Sequence, residues 1–426
     1  MKKLSLIVIF IVLGTFVYAA SPAISVKKKS ITKTGGFPQI LQKASNTSTG
    51  ETLFTFDIGP FTGILISPTG KTLGKPFSIA EPLDHECCFL GNSVAYNPVL
   101  QEYFAVYSPW DPGVTGSILA VHLDSHGKIK GKEITILEPI DPPKSNDLGD
   151  NSFPRLIFNP KTNGYVMIWE RTEGIAAALL DENGKLTSPI KIIKSNPGSN
   201  GFYDNQRALD GRIEDVQWQA SGKKLLVVFQ QRFSGDFYGG ESDDWLAVLD
   251  PLLQKPAKLR KINTSSIHYG GDISLGILPD DTACVIYNDN EGVKGRTISS
   301  KGKFSSAPFP AFSMDVPLNI PRVAFSTTAA GTVGLLIAHD HSPAPIGVLP
   351  ENAWAQTLDT HCRPTGEAKI VDTLQDETDI GGFVFALPAN PSDNSSQFIW
   401  MEATLKNPTT GQYVGYLRKL KLQVTP

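Results

Sequence analysis

From Ser93 to Ile136 the chain alternates short apolar runs with polar breaks: S-V-A-Y-N-P, E-Y-F-A-V-Y, S-I-L-A-V-H-L-D and K-E-I-T-I. The breaks are a turn at Asn97-Pro98, a loop from Ser108 to Gly116 and a turn from Asp124 to Lys128. Runs of this length, rich in Val, Ile, Phe and Tyr and bounded by Gly, Pro and Asn, read as four β-strands. The same paragraph recurs at Phe37–Ile79, Phe153–Ile193, Ile213–Ile262, Gly271–Phe312, Ile320–Val371 and Phe383–Val424. No helical period of useful length appears.

About seven copies of four strands each predict an all-β chain folded as a single seven-bladed β-propeller, with six or eight blades as the alternative. A string of small sandwiches fits less well. One copy cannot bury its own faces, whereas a ring of stacked sheets buries both faces of every sheet. The seventh copy lacks a fourth strand before the chain stops at Pro426. Residues 24–34, I-S-V-K-K-K-S-I-T-K-T, are strand-like and precede the first copy. They are expected to supply the missing outer strand and close the ring, which also ties down the N-terminus.

Before that strand, Met1-Lys2-Lys3, an apolar run from Leu4 to Tyr18 and small residues at Ala19, Ala20 and Ser21 read as a signal peptide. Residues 1–19 are expected to be removed, leaving a propeller domain over 20–426 without a membrane span. That points to a secreted or periplasmic protein. Loss of Lys2 and Lys3 takes the formal charge from −3 to −5, which argues against a nucleic-acid surface. Lys27-Lys28-Lys29 reads as a solvated strand edge. Asn46-Thr47-Ser48, Asn263-Thr264-Ser265 and Asn394-Ser395-Ser396 fit the glycosylation pattern, relevant only in a eukaryotic source.

Lettering the strands of each blade A to D from the axis outward, the C–D connections are stereotyped Gly-Lys turns. The B–C and D–A connections vary widely in length, so ligand contacts are expected on that face, near the axis. Aligning the copies on strand A suggests a ring of Gln39, Ser93, Arg155, Asp215, Asp272, Arg322 and Gly382 at the channel entrance. Arg155 and Arg322 share the context P-R-[L/V]-[I/A]-F. With Asp215 and Asp272 they could grip a carboxylate or sugar hydroxyls. The competing reading pairs Arg155 with Asp215 and Arg322 with Asp272 as a structural plug.

A second level follows strand B: Asp57, Ser108, Glu170, Gln230, Asn288, His339 and Met401. Trp110, Phe233, Phe237, Tyr238 and Trp245 decorate long loops. They suit carbohydrate faces, or they anchor their own loops.

Metal chemistry finds little support. His339-Asp340-His341 and His85-Glu86-Cys87-Cys88 mix ligand types without a complete set. Asn288 to Gly292 reads as an Asx-type turn rather than a calcium loop. No metal and no cofactor is expected. Of the four Cys, Cys284 and Cys362 are expected to lie too far apart to bond. Cys87 and Cys88 are left as a vicinal disulfide or as free thiols. Nucleophile and phosphate-loop motifs are absent. The carboxylates Asp57, Glu170, Asp215, Asp272 and Glu402 permit glycoside chemistry without identifying it.

The motifs P-x-[V/L]-A-[Y/F]-N, E-Y-F-A-V-Y and D-x-x-G-K, spread over nearly all of the mature chain, resemble secreted β-propeller repeat proteins, and most of all the group around the sialidase-type propellers. The sialidase Asp-box, S-x-D-x-G-x-T-W, is absent, and no arginine triad with a Tyr/Glu pair can be assigned. The resemblance therefore implies the fold and not sialidase activity. The reading that results is an extracytoplasmic, monomeric recognition module. It would bind a glycan or an extracellular protein on the B–C/D–A face through Arg155, Arg322, Asp215, Asp272, Trp110, Tyr238 and Trp245. A glycan-active hydrolase or lyase and a pocketless scaffold are the alternatives.

Overall fold

The structure is a computed structural model that describes residues 23–34, 39–57, 60–81, 89–109, 116–139, 151–171, 173–195, 211–232, 241–263, 267–268, 273–289, 291–314, 318–329, 331–340, 351–374, 378–387, 395–407 and 412–423. Strand β1 is Ala23–Thr34. Blade 1 holds β2 (Gln39–Ser45), β3 (Thr52–Asp57), β4 (Phe61–Ile66) and β5 (Thr72–Ala80). Blade 2 holds β6 (Phe89–Asn97), β7 (Glu102–Pro109), β8 (Ile118–Leu123) and β9 (Ile129–Leu137). Blade 3 holds β10 (Ser152–Asn159), β11 (Gly164–Arg171), β12 (Gly174–Leu180) and β13 (Lys191–Ser195). Blade 4 holds β14 (Gly211–Trp218), β15 (Leu225–Arg232), β16 (Glu241–Leu249) and β17 (Lys258–Lys261), with β18 (Ile267–His268) also paired to β16. Blade 5 holds β19 (Ile273–Ile277), β20 (Ala283–Asp289), β21 (Gly292–Ile298) and β22 (Phe309–Pro310). Blade 6 holds β23 (Leu318–Thr328), β24 (Gly331–Asp340), β25 (Glu351–Leu358) and β26 (Pro364–Leu374). Blade 7 holds β27 (Thr378–Ala386), β28 (Ser395–Asn407) and β29 (Gln412–Gln423).

Every sheet is antiparallel, and the innermost strands neighbour one another in a closed circuit: β2, β6, β10, β14, β19, β23, β27 and back to β2. This is the seven-bladed β-propeller that the repeats predict, with no helix among the described residues. The seventh sheet runs β27-β28-β29-β1, and β1 pairs with β29 from Ala23↔Gln423 to Thr34↔Tyr413. The first of the described strands thus completes the last blade.

The core is divided among the blade interfaces. Phe61, Tyr96, Tyr103 and Tyr107 fill the space between blades 1 and 2. Phe104, Tyr165 and Trp169 fill the next, and Phe54, Phe56, Phe385 and Ile399 fill the last, between blades 7 and 1. Second strands such as β7 and β11 are buried on both faces, which is why E-Y-F-A-V-Y and Y-V-M-I-W read as continuous apolar runs rather than alternating ones.

The C–D turns also serve these interfaces. In blade 3, the Gly184 N–H donates to the Asp181 carbonyl, and the Asp181 N–H to that of Lys185. Gly184 has φ 82°, and a Cβ there would lie 2.6 Å from the Phe104 ring of blade 2. Both the backbone and the neighbour require glycine. Blade 6 has the same turn, with Cys362 N–H donating to Asp359 and φ 66°. Cys362 occupies the glycine position and bonds to Cys284 of blade 5, with α-carbons 5.8 Å apart.

This corrects the expectation that these two cysteines cannot meet. Cys284 is the second residue of β20, beside the A–B turn from Leu278 to Thr282. A–B and C–D turns share one face of a propeller, and the turn of the next blade leans over that strand end. Cys284 corresponds to Phe104: each lies two residues before the position facing the strand-A serine, Ile286 opposite Ser274 and Val106 opposite Ser93. Cys87 and Cys88 lie outside the described residues.

Candidate functional site: the axial channel

Cross-strand pairing sets one level of the channel wall. Gln42, Ser93, Arg155, Asp215, Ser274 and Arg322 face Thr55, Val106, Ile168, Val228, Ile286 and Ile337 in their blades. Four of the residues aligned from the sequence are here. Gln39 gives way to Gln42, because the register of β2 shifts between them. Ser274 holds the blade 5 position, and Asp272 lies outside the described residues.

Oxygens at this level join the blades. Ser93 Oγ accepts the Leu156 N–H at 2.9 Å, and Ser274 Oγ accepts that of Val323 at 3.1 Å. Asp215 Oδ2 accepts the Leu275 N–H at 2.9 Å and the Gln217 side-chain amide at 3.0 Å. Arg155 is buried and donates through Nη2 to the Ile213 carbonyl of blade 4 at 3.0 Å, and through Nη1 to Pro154. Arg322 donates to the Pro321 carbonyl at 3.1 Å.

Inside this wall lies a cavity of about 540 Å³, lined by Lys43, Ser93, Arg155, Glu214 and Asp215 among others. A second, of about 210 Å³, holds Arg322 and shares Lys43, Glu214, Asp215 and Gln217 with the first. The larger one reaches Pro98, Pro160 and Ala220. It therefore runs toward the A–B turns, while most of the B–C and D–A loops expected to frame a ligand lie outside the described residues.

Lys43 is the residue that sequence reasoning missed. It stands on β2 next to Gln42, and its side chain is exposed within the channel. Crowding by protein lowers its pKa from the ordinary 10.5 to about 8, with the charge of Asp215 opposing the fall. For the Asp215 carboxyl, burial raises the pKa. Its hydrogen bonds and the charges of Lys43 and Arg322 pull the other way. The cations acting on Asp215 are therefore Lys43 and Arg322, rather than the Arg155 expected as its partner.

The second level is architectural. Ser108 Oγ donates to the carbonyls of Ser117 and Asn151. Glu170 Oε1 accepts the Ile213 N–H at 2.9 Å, tying blade 3 to blade 4. Gln230 donates to Asp244 at 3.3 Å. His339 is buried edge-on to Trp400, with centroids 5.5 Å apart. Asp340 accepts from Trp354 Nε1 and from the Asn352 amide, so neither residue stands ready for a metal. No group of potential metal ligands occurs among the described residues. The Glu291 N–H donates to Asp289 Oδ1 at 2.8 Å, the Asx-type turn expected there.

Trp245 is half-buried against the blade 3–4 core, with Lys194 Nζ 4.8 Å from its ring centroid. It braces its blade. Trp110 and Tyr238 lie outside the described residues. Asn46 and Asn263 are buried and accept backbone N–H groups of their own turns and strands, an unsuitable setting for a glycan.

No protein-family model and no curated protein matches the chain. Similar solved structures include the intramolecular trans-sialidase from Ruminococcus gnavus, 12% identical over 92% of this chain and 96% of that one, with TM-score 0.47. The leech intramolecular trans-sialidase is 11% identical over 93% and 70%, with TM-score 0.46. AofleA from Arthrobotrys oligospora is 8% identical over 83% and 91%, with TM-score 0.43. The fold itself stands on the seven sheets, and nothing about ligand or activity follows from these similarities.

Proposed function

We propose that this chain is an extracytoplasmic, monomeric recognition module that takes a glycan or an extracellular protein ligand at its axial channel. The observation that carries the reading is the convergence of Lys43, Arg155, Asp215 and Arg322, from four blades, on two cavities that share Lys43, Glu214, Asp215 and Gln217. Charged groups fixed by a rigid ring offer directional donors to hydroxyls and carboxylates at small entropic cost. The Cys284–Cys362 bond supports an oxidising compartment, in keeping with the signal-like N-terminus. The test is binding to glycan and extracellular-protein arrays, with turnover monitored, for wild type and Arg155→Ala/Arg322→Ala. Binding by wild type that the variant loses supports the reading. Turnover would favour a glycan-active enzyme, and a variant indistinguishable from wild type would remove the channel from consideration.

A further inference from the structure

We infer that Lys43 Nζ is a carbonyl-reactive amine, so that the axial cavity captures small aldehydes or ketones, the open-chain reducing end of a sugar among them, as a reversible imine. Lys43 lines both lobes of the cavity, so a small molecule entering either one meets this side chain. Its Nζ lies 4.8 Å from the centroid of the Phe385 ring. It makes no hydrogen bond or ion pair among the described residues. The apolar ring on one side and the cavity on the other leave the nitrogen open to an electrophile.

The charged groups that share its cavities come from three other blades: Arg155 on β10, Glu214 and Asp215 on β14, and Arg322 on β23. Desolvation by the surrounding protein disfavours the ammonium form, and the charge of Asp215 opposes it. At pH 8 about half of the Lys43 population is free amine, against roughly 0.3% for an unperturbed lysine.

The chemistry is redox-neutral. The Nζ lone pair attacks the carbonyl carbon, and the C=O π pair moves to oxygen, which takes a proton. The carbinolamine then loses that oxygen as water while C=N forms, and the two amine protons pass to solvent. One amine and one carbonyl give one imine and one water. Asp215, which lines both lobes with Lys43, can take a proton from the amine and pass it to the departing oxygen. No other reactant is required.

The inference uses the cavity of the proposed recognition site but not its ligand. Imine trapping and array binding therefore succeed or fail separately. Full-length protein is incubated with glyceraldehyde and cyanoborohydride, which reduces any imine to a stable secondary amine, and labelled lysines are mapped by peptide mass spectrometry. At pH 7 Lys43 is expected to label about tenfold or more faster than the exposed Lys71 and Lys75, with its rate levelling off above pH 8. Labelling no faster than those two overturns the inference. In Asp215→Asn the charge that holds the proton on Lys43 is gone, so the midpoint of the labelling profile moves to lower pH. An unchanged midpoint overturns the role given to Asp215.

Discussion

The Cys284–Cys362 bond adds a covalent tie between blades 5 and 6 to the packing and hydrogen bonds that join the blades, and its removal has a calculable cost. The two residues are 78 apart in sequence. Closing a loop of that length in the unfolded chain removes entropy worth about 4.5 kcal/mol at 25 °C. Unfolding entropy of about 2.1 cal/mol/K per residue, over roughly 400 residues, makes that about a 5 °C fall in Tm for a ring that melts as one unit. Both residues are fully buried, so alanine is the appropriate replacement at 284, and serine would strand a hydroxyl. Position 362 is different. Its φ of 66° favours glycine, the residue that blades 1, 2, 3 and 5 use there. Cys284→Ala/Cys362→Gly should therefore remain about 1 kcal/mol more stable than Cys284→Ala/Cys362→Ala. Calorimetry of the variants, and of wild type with and without reductant, reads these differences. A wild-type Tm indifferent to reductant, or a non-reduced digest with the Cys284 and Cys362 peptides unlinked, would refute the reasoning.

Three further outcomes follow from the same geometry. Deleting residues 1–34 removes the partner of β29 and uncovers its edge, including the strand that carries buried Leu420 and Leu422. The product should be aggregated or sharply less stable by chemical denaturation, and a monomeric product of normal stability would count against ring closure by β1. Lys43→Met should change how stability depends on pH. In wild type the native state disfavours the lysine proton, a penalty complete below pH 8 and relieved between about pH 8 and 10.5, where the unfolded chain binds more protons. Wild-type stability should therefore gain on the Met variant across that window in urea titrations, and a constant gap would refute the lowered pKa. Gly184→Val places a β-branched side chain at φ 82° against the Phe104 ring and should cost about 2–4 kcal/mol, read as a lowered denaturation midpoint.

The repeat made the blades legible because each second strand is buried on both faces and each C–D turn has fixed chemistry. The missing strand of the last copy and the strand-like 24–34 segment were enough to place the closure. The disulfide was also within reach. Asp359-Thr360-His361-Cys362-Arg363 aligns with Asp124-Ser125-His126-Gly127-Lys128, which puts Cys362 in the turn that covers the neighbouring blade. The apolar run A-C-V-I-Y-N does not reveal that Cys284 stands at the strand end beside that turn.

The channel wall was legible only in part. Irregularities interrupt β2, β6, β10, β14 and β23 just before the level of Arg155 and Asp215. A β-bulge leaves no trace in apolar spacing, and a slip of one to three residues changes which side chain faces the axis. That is how Gln39 was read for Gln42, and why its neighbour Lys43 went unnoticed. Side chains such as Glu170 and Ser108 are polar for a structural reason: they satisfy buried backbone groups.

The most direct measurement on the channel is calorimetric titration of the glycan or protein returned by the arrays against wild type, Arg155→Ala and Arg322→Ala. The melting temperature of each is recorded alongside. Losing a charge-assisted hydrogen bond of about 1.5–3 kcal/mol should weaken binding roughly ten- to a hundredfold for Arg322→Ala while its melting temperature holds. Wild-type affinity in both variants, or a loss that merely tracks unfolding, would contradict an axial recognition site.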